Sequence, residues 1–124
     1  MQDLSKSESD LQVRNLRAEE RQLIGSLLSR VWTKEVLEKT LSTSLVKNMQ
    51  DGGMGSIRFV HPEARSFGTA LIEAKCTDSD GMLVSIALNV DNRGDLFELD
   101  FWKVDFSPLR RYPAPSDIRF PSSE

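Results

Sequence analysis

Residues 70–90 read Ala-Leu-Ile-Glu-Ala-Lys-Cys-Thr-Asp-Ser-Asp-Gly-Met-Leu-Val-Ser-Ile-Ala-Leu-Asn-Val, and the fold class turns on this stretch. Ala70, Ile72, Ala74 and Cys76 recur at every second position, and so do Met82, Val84, Ile86, Leu88 and Val90. A period of two marks strands with one face turned to a core. Between them stands Asp78-Ser79-Asp80-Gly81, whose turn-forming acids and closing glycine suit a hairpin. Asp91-Asn92-Arg93-Gly94 repeats the signal and leads into a strand over about 95–106. There Phe97, Leu99 and Phe101 lie on one parity and Val104 and Phe106 on the other, so a bulge near Trp102-Lys103 is expected to switch the core-facing set. Ile86, Leu88, Phe97, Leu99 and Phe101 are the expected core of the sheet.

Upstream, Ile57 and Phe59 alternate with Ser56 and Arg58, and Ser44–Met49 reads as a further strand before the Asp51-Gly52-Gly53 turn. Helical spacing of Leu23, Ile24, Leu27, Leu28 and Val31 predicts a helix over 18–31, with Glu19 and Glu20 in its first turn. A second helix over 34–41 follows, N-capped by Thr33, with Val36, Leu37 and Leu41 as its apolar stripe. The sequence therefore predicts an α+β domain over 16–108, with two N-terminal helices packed on one face of a four- or five-stranded antiparallel meander sheet. Residues 1–15 read as a flexible polar arm, and 109–124 as a Pro-rich tail packed on the domain through Leu109, Tyr112, Ile118 and Phe120.

With 124 residues, the chain has the length of one domain. No apolar run approaches the roughly 20 residues that span a bilayer, and the acidic, polar N-terminus argues against export, so a cytoplasmic location is expected. A net charge of -3 offers no footprint for a phosphate backbone, which argues against nucleic acid as a partner. Cys76 is the one cysteine, which fits a reducing compartment, and its place in the alternation makes it a buried core residue.

Few residues invite chemistry. Asp51-Gly52-Gly53-Met54-Gly55-Ser56 is Gly-rich, but a phosphate loop opens a helix and carries Lys, whereas Ile57-Arg58-Phe59 is strand-like; a tight turn is the expectation. Aligned as a calcium loop on Gly81, the first acidic turn lacks the closing bidentate Glu, because Ala87 stands there. His61, the one histidine, precedes Pro62 without any nucleophile signature nearby and reads as a loop residue. Glu98 and Asp100 share one strand face and could serve acid/base chemistry, although an exposed polar face needs no such role. No enzyme, cofactor or metal is expected on this reading.

Acidity is uneven. Between Leu71 and Phe106 stand eight acids against Lys75, Arg93 and Lys103, a local charge of about -5 that could steer a basic protein partner. Glu98, Asp100, Asp105 and Trp102 are the expected partner-binding residues. The rival expectation is a ligand-binding or enzymatic pocket between helices and sheet near His61, Glu98 and Asp100.

The blocks Gly52-Gly-Met-Gly-Ser-Ile-Arg-Phe59 and Leu96-Phe-Glu-Leu-Asp-Phe-Trp-Lys-Val-Asp-Phe-Ser-Pro-Leu-Arg-Arg-Tyr-Pro113 resemble those of a family of small bacterial proteins of unknown function. The resemblance spans about Leu16 to Pro113 and implies a bacterial origin without an activity. In general build the chain is also similar to the small acidic immunity proteins that neutralise bacterial toxins, which implies a non-enzymatic inhibitor.

Overall fold

Leu23, Ile24, Leu27 and Leu28 form one fully buried stripe, and α1 (Ala18–Leu28) is the helix built around it. In the computed structural model, which describes residues 12–121, this helix ends three residues earlier than the spacing predicts. Its last carbonyls are met by the amides of Ser29, Arg30, Val31 and Trp32, which turn the chain. Val31 is left exposed, and Trp32 packs on the core in its place. Thr33 Oγ1 accepts the Val36 N–H at 3.3 Å and caps α2 (Lys34–Thr43), which buries Leu37 and Leu41 but leaves Val36 exposed.

Six strands follow one antiparallel scheme: β1 (Arg14–Asn15), β2 (Leu45–Asn48), β3 (Ile57–Phe59), β4 (Phe67–Thr77), β5 (Leu83–Asp91) and β6 (Leu96–Lys103). Their spatial order is β1-β2-β3-β6-β5-β4, so the expected four- or five-stranded meander is corrected in two respects. First, Arg14–Asn15, assigned to the flexible arm, pairs with Leu45 and Val46 as an edge strand. It is held there because Arg14 forms a two-pronged bond to the buried Glu20 carboxylate, each N···O 2.9 Å. Residues 1–11 of the expected arm lie outside the described residues.

Second, β3 does not hand over to β4. It pairs with β6, and residues 60–66 carry the chain around the β5–β6 turn to the far edge. Arg65 ties that crossing down with ion pairs of 2.7 Å to the buried Asp91 and 2.6 Å to Asp95. Gly68 then enters β4 so close to the β5 backbone that a Cβ would sit 2.3 Å from the Asp91 carbonyl oxygen.

The core lies between the helices and one face of the sheet, where Val46, Ile57, Phe59, Ala74, Cys76, Val84, Ile86, Leu88, Leu99 and Phe101 meet the helical leucines. The bulge of β6 is at the other end of the strand from the expected one. Val90 pairs with Leu96 and Asn89 with Glu98, which leaves Phe97 as the extra residue. Phe97 is consequently buried outside the core cluster, under the Arg58 guanidinium at 5.1 Å. Pairing is regular through Trp102 and Lys103, so Val104 and Phe106 never turn inward and both are exposed. Lys103 takes the inward position and is wholly buried. Leu109, Tyr112, Ile118 and Phe120 of the tail pack on the core, and Arg119 pairs with Lys75 at the β4 edge. Among the described residues, no helix is long and apolar enough to cross a membrane.

Candidate functional site

Strand alternation places Glu98, Asp100 and Trp102 together on the sheet face that the helices leave uncovered, opposite Leu99 and Phe101. The three differ in what they can offer. Glu98 is buried beneath Arg58, whose Nε donates to Oε2 at 2.8 Å, so its charge is spent internally. Asp100 takes a hydrogen bond from Asn89 Nδ2 at 2.7 Å. Its own burial, reinforced by the neighbouring Glu98 carboxylate, pushes its carboxyl up to about 6. Trp102 has no such cover and stands 57 % exposed.

Asp105 lies beyond the strand. It caps the turn that ends β6 by accepting the Ser107 Oγ–H at 2.8 Å and the Ser107 N–H at 3.1 Å, which hold its carboxyl below the usual range. The same turn presents Val104, 50 % exposed, and Phe106, 64 % exposed, with the Phe106 ring 6.1 Å from Trp102. Phe106 has φ 62, the one positive value for a non-glycine residue among the described residues. A bulky side chain in that region is strained. Val104 and Phe106 are thus surface residues that the sequence reading had assigned to the core. Beside Trp102, a shallow cleft of about 270 Å³ runs past Asp100, Ala87 and Lys75 to Glu73 and Pro121.

The acidic stretch is less charged in three dimensions than in sequence. Arg58 and Arg65, which lie outside it, neutralise Glu98, Asp91 and Asp95. Lys103 Nζ reaches Asp78 at 2.8 Å and Asp80 at 2.6 Å. Among the described residues this leaves Glu73, Asp100 and Asp105 without a basic partner.

His61 does not join the carboxylates. Its Nε2 lies 3.2 Å from the Leu96 carbonyl oxygen, in a cleft of about 370 Å³ between α2 and the sheet that neither Glu98 nor Asp100 lines. The Gly-rich turn is filled from within, because Asp51 accepts the Met54 N–H at 3.1 Å and the Ser56 N–H at 3.0 Å. Cys76 is buried, and burial pushes its thiol up to about 11, which suits a core residue and not a nucleophile. Among the described residues, no three His, Cys, Asp or Glu side chains come together as metal ligands.

The family model described as a domain of unknown function (DUF6984) matches residues 13–113. No curated protein and no solved structure matches the chain.

Proposed function

The chain belongs to the DUF6984 family, and we propose that it is a non-enzymatic protein-binding domain, a cytoplasmic immunity-type inhibitor of a bacterial toxin, docking through the helix-free face of its sheet. The observation that carries this reading is the pair of exposed rings, Trp102 and Phe106, set with Val104 on one surface. Contiguous exposed apolar side chains mark interaction sites, and tryptophan is enriched among the residues that dominate binding energy.

Asp100 and Asp105, both without a basic partner, border the rings and favour a basic surface opposite them. Two charges steer less than the eight acids of the sequence, so most of the affinity falls to the aromatic contact. Affinity capture from a bacterial lysate with wild type and Trp102→Ser in parallel tests this. A protein held by the wild type, lost by Trp102→Ser, and associating more slowly with Asp100→Asn/Asp105→Asn at low salt supports the reading. Equal capture by both baits overturns it.

A further inference from the structure

A third cavity, of about 590 Å³, lies where α1 begins, between the β2–β3 loop and the C-terminal tail, and it shares no residue with the exposed aromatic face. Both sequence blocks that carry the family resemblance build it. Gly53 accepts the Leu109 N–H at 3.0 Å, Ser56 Oγ accepts the Phe101 N–H at 2.9 Å, and the Tyr112 ring packs on Phe101 at 5.4 Å. The volume is in the range of small-molecule sites, roughly 300–1,000 Å³.

The polar groups of its wall divide sharply. Apart from the exposed Gln50 amide, each side-chain acceptor is already engaged by the chain itself. Glu20 receives the Arg14 guanidinium on both oxygens and the Arg17 N–H at 2.8 Å. Asp51 receives the two amides of its own loop, and Asn48 Oδ1 receives Arg14 at 2.6 Å. Three side-chain donors are unengaged. Among the described residues, the Arg17 guanidinium and Asn48 Nδ2 form no hydrogen bond, and the Tyr112 hydroxyl oxygen is buried with no partner at all. Burial, with Glu20 and Glu19 nearby, raises the Tyr112 pKa, so its phenol keeps its proton and can donate.

We infer that this cavity binds a small organic molecule through a single carboxylate, with Arg17, Tyr112 and Asn48 as its hydrogen-bond donors. A guanidinium and a hydroxyl suit the two oxygens of a carboxylate. One charge is the limit, because Glu20 and Asp51 also line the wall and repel a dianion such as phosphate. Met49 and the Tyr112 ring favour an apolar body on the ligand.

The test is an NMR titration of the full chain with acetate, isovalerate and phenylacetate, with phenylacetamide and inorganic phosphate as controls. The amides of Gly52 and Gly53 and the side-chain amide of Asn48 should shift saturably with the acids, most tightly with phenylacetate, with Kd on the order of millimolar. Tyr112→Phe, which keeps the ring, should weaken binding by about three- to tenfold, and Arg17→Gln by about tenfold or more. Arg17 is exposed and its backbone N–H is untouched by the change, so an unaltered melting temperature serves as the folding control. Binding of phenylacetamide or phosphate as tight as phenylacetate, unchanged binding by Arg17→Gln, or no saturable shift from any of the acids overturns the inference. None of these outcomes bears on the docking face, whose residues lie elsewhere.

Discussion

Phe106 is where a test of the docking face separates from a test of folding. At φ 62 an L-residue is left-handed, which costs about 1–2 kcal/mol relative to the ordinary helical region. The strain is kept because the Phe106 N–H is bonded to the Lys103 carbonyl at 2.9 Å and Asp105 braces the next residue, so the backbone cannot relax. Phe106→Ala and Phe106→Gly both delete the ring and its tilted contact with Trp102, but only Gly escapes the strain. Glycine also adds unfolded-chain entropy of about 0.4–1 kcal/mol, so it should come out ahead of Ala by about 0.5–1 kcal/mol. For a domain of this size that is a melting-temperature difference of about 2–5 °C, readable by calorimetry. A partner captured through Trp102 should be bound equally poorly by the two variants, about tenfold or more below wild type, because both lack the ring. An Ala variant as stable as the Gly variant would remove the strain from the argument. Wild-type affinity in either would remove Phe106 from the docking surface.

Three further expectations rest on other parts of the molecule. Leu99→Ala, at a fully buried position in the centre of the sheet, should cost about 2–5 kcal/mol in urea denaturation; a loss under about 1 kcal/mol would contradict the β6 register. Asp100, raised to about 6 against about 3.9 in an unfolded chain, binds its proton more tightly when folded. Its contribution to stability therefore rises as pH falls from about 6 to about 4, and Asp100→Asn should be more stable than wild type at pH 7 and lack that rise; an Asn variant that is less stable at pH 7 argues against the raised pKa. Asp78 has the opposite sign: burial alone would push it up, but Lys103 and the amides of Arg110, Ser79 and Arg111 hold it down to about 2. The stability it supplies is complete above about pH 4 and lost between about 4 and 2, so Asp78→Asn should flatten that part of the acid limb, and an unchanged limb would refute the clamp.

The helices, the hairpins and the buried cysteine were legible because each is written in local periodicity, as Leu23 to Leu28 and Ala74 to Leu88 show. What escaped was written in pairings across the chain. The β3-to-β6 pairing has no local mark, since seven residues from 60 to 66 could equally close a hairpin or carry a crossing. Lys103 breaks the apolar stripe of β6 where Val104 and Phe106 change parity, and a bulge there is what the sequence predicts to bring those two inward. The strand stays regular because Asp78 and Asp80, more than twenty residues away, neutralise the lysine in place. The misplaced bulge turned Val104 and Phe106 from surface into core and hid them from the candidate site. Trp102 and Asp100 were legible as residues of the outer sheet face because they lie before the misplaced switch. Tyr112 and Arg17 went unseen as a pair because nothing in sequence brings residue 112 to the start of α1.

The Lys103 clamp also ties the two candidate sites to one piece of chain. Asp78 accepts Lys103 Nζ at 2.8 Å together with the Arg110 N–H at 2.8 Å and the Arg111 N–H at 3.0 Å, and Lys103 Nζ is also 3.1 Å from the Pro108 carbonyl. These bonds pin the segment 103–111 at both ends. Upstream of the pinned stretch stands Trp102, within it Phe106, and just beyond it Tyr112, whose ring sits on Phe101. Breaking the clamp by Lys103→Met leaves Asp78 buried without its counter-ion, so the tail should loosen before the sheet does. Hydrogen exchange then separates local from global effects: the amides of Arg110 and Arg111 should lose protection while those of Ile86 and Leu88 keep theirs. If the clamp positions both surfaces, partner capture and carboxylate binding should weaken together in Lys103→Met, although the two sites share no residue. Weakening of only one, with Arg110 and Arg111 deprotected, would mean that the other surface is positioned independently of the tail.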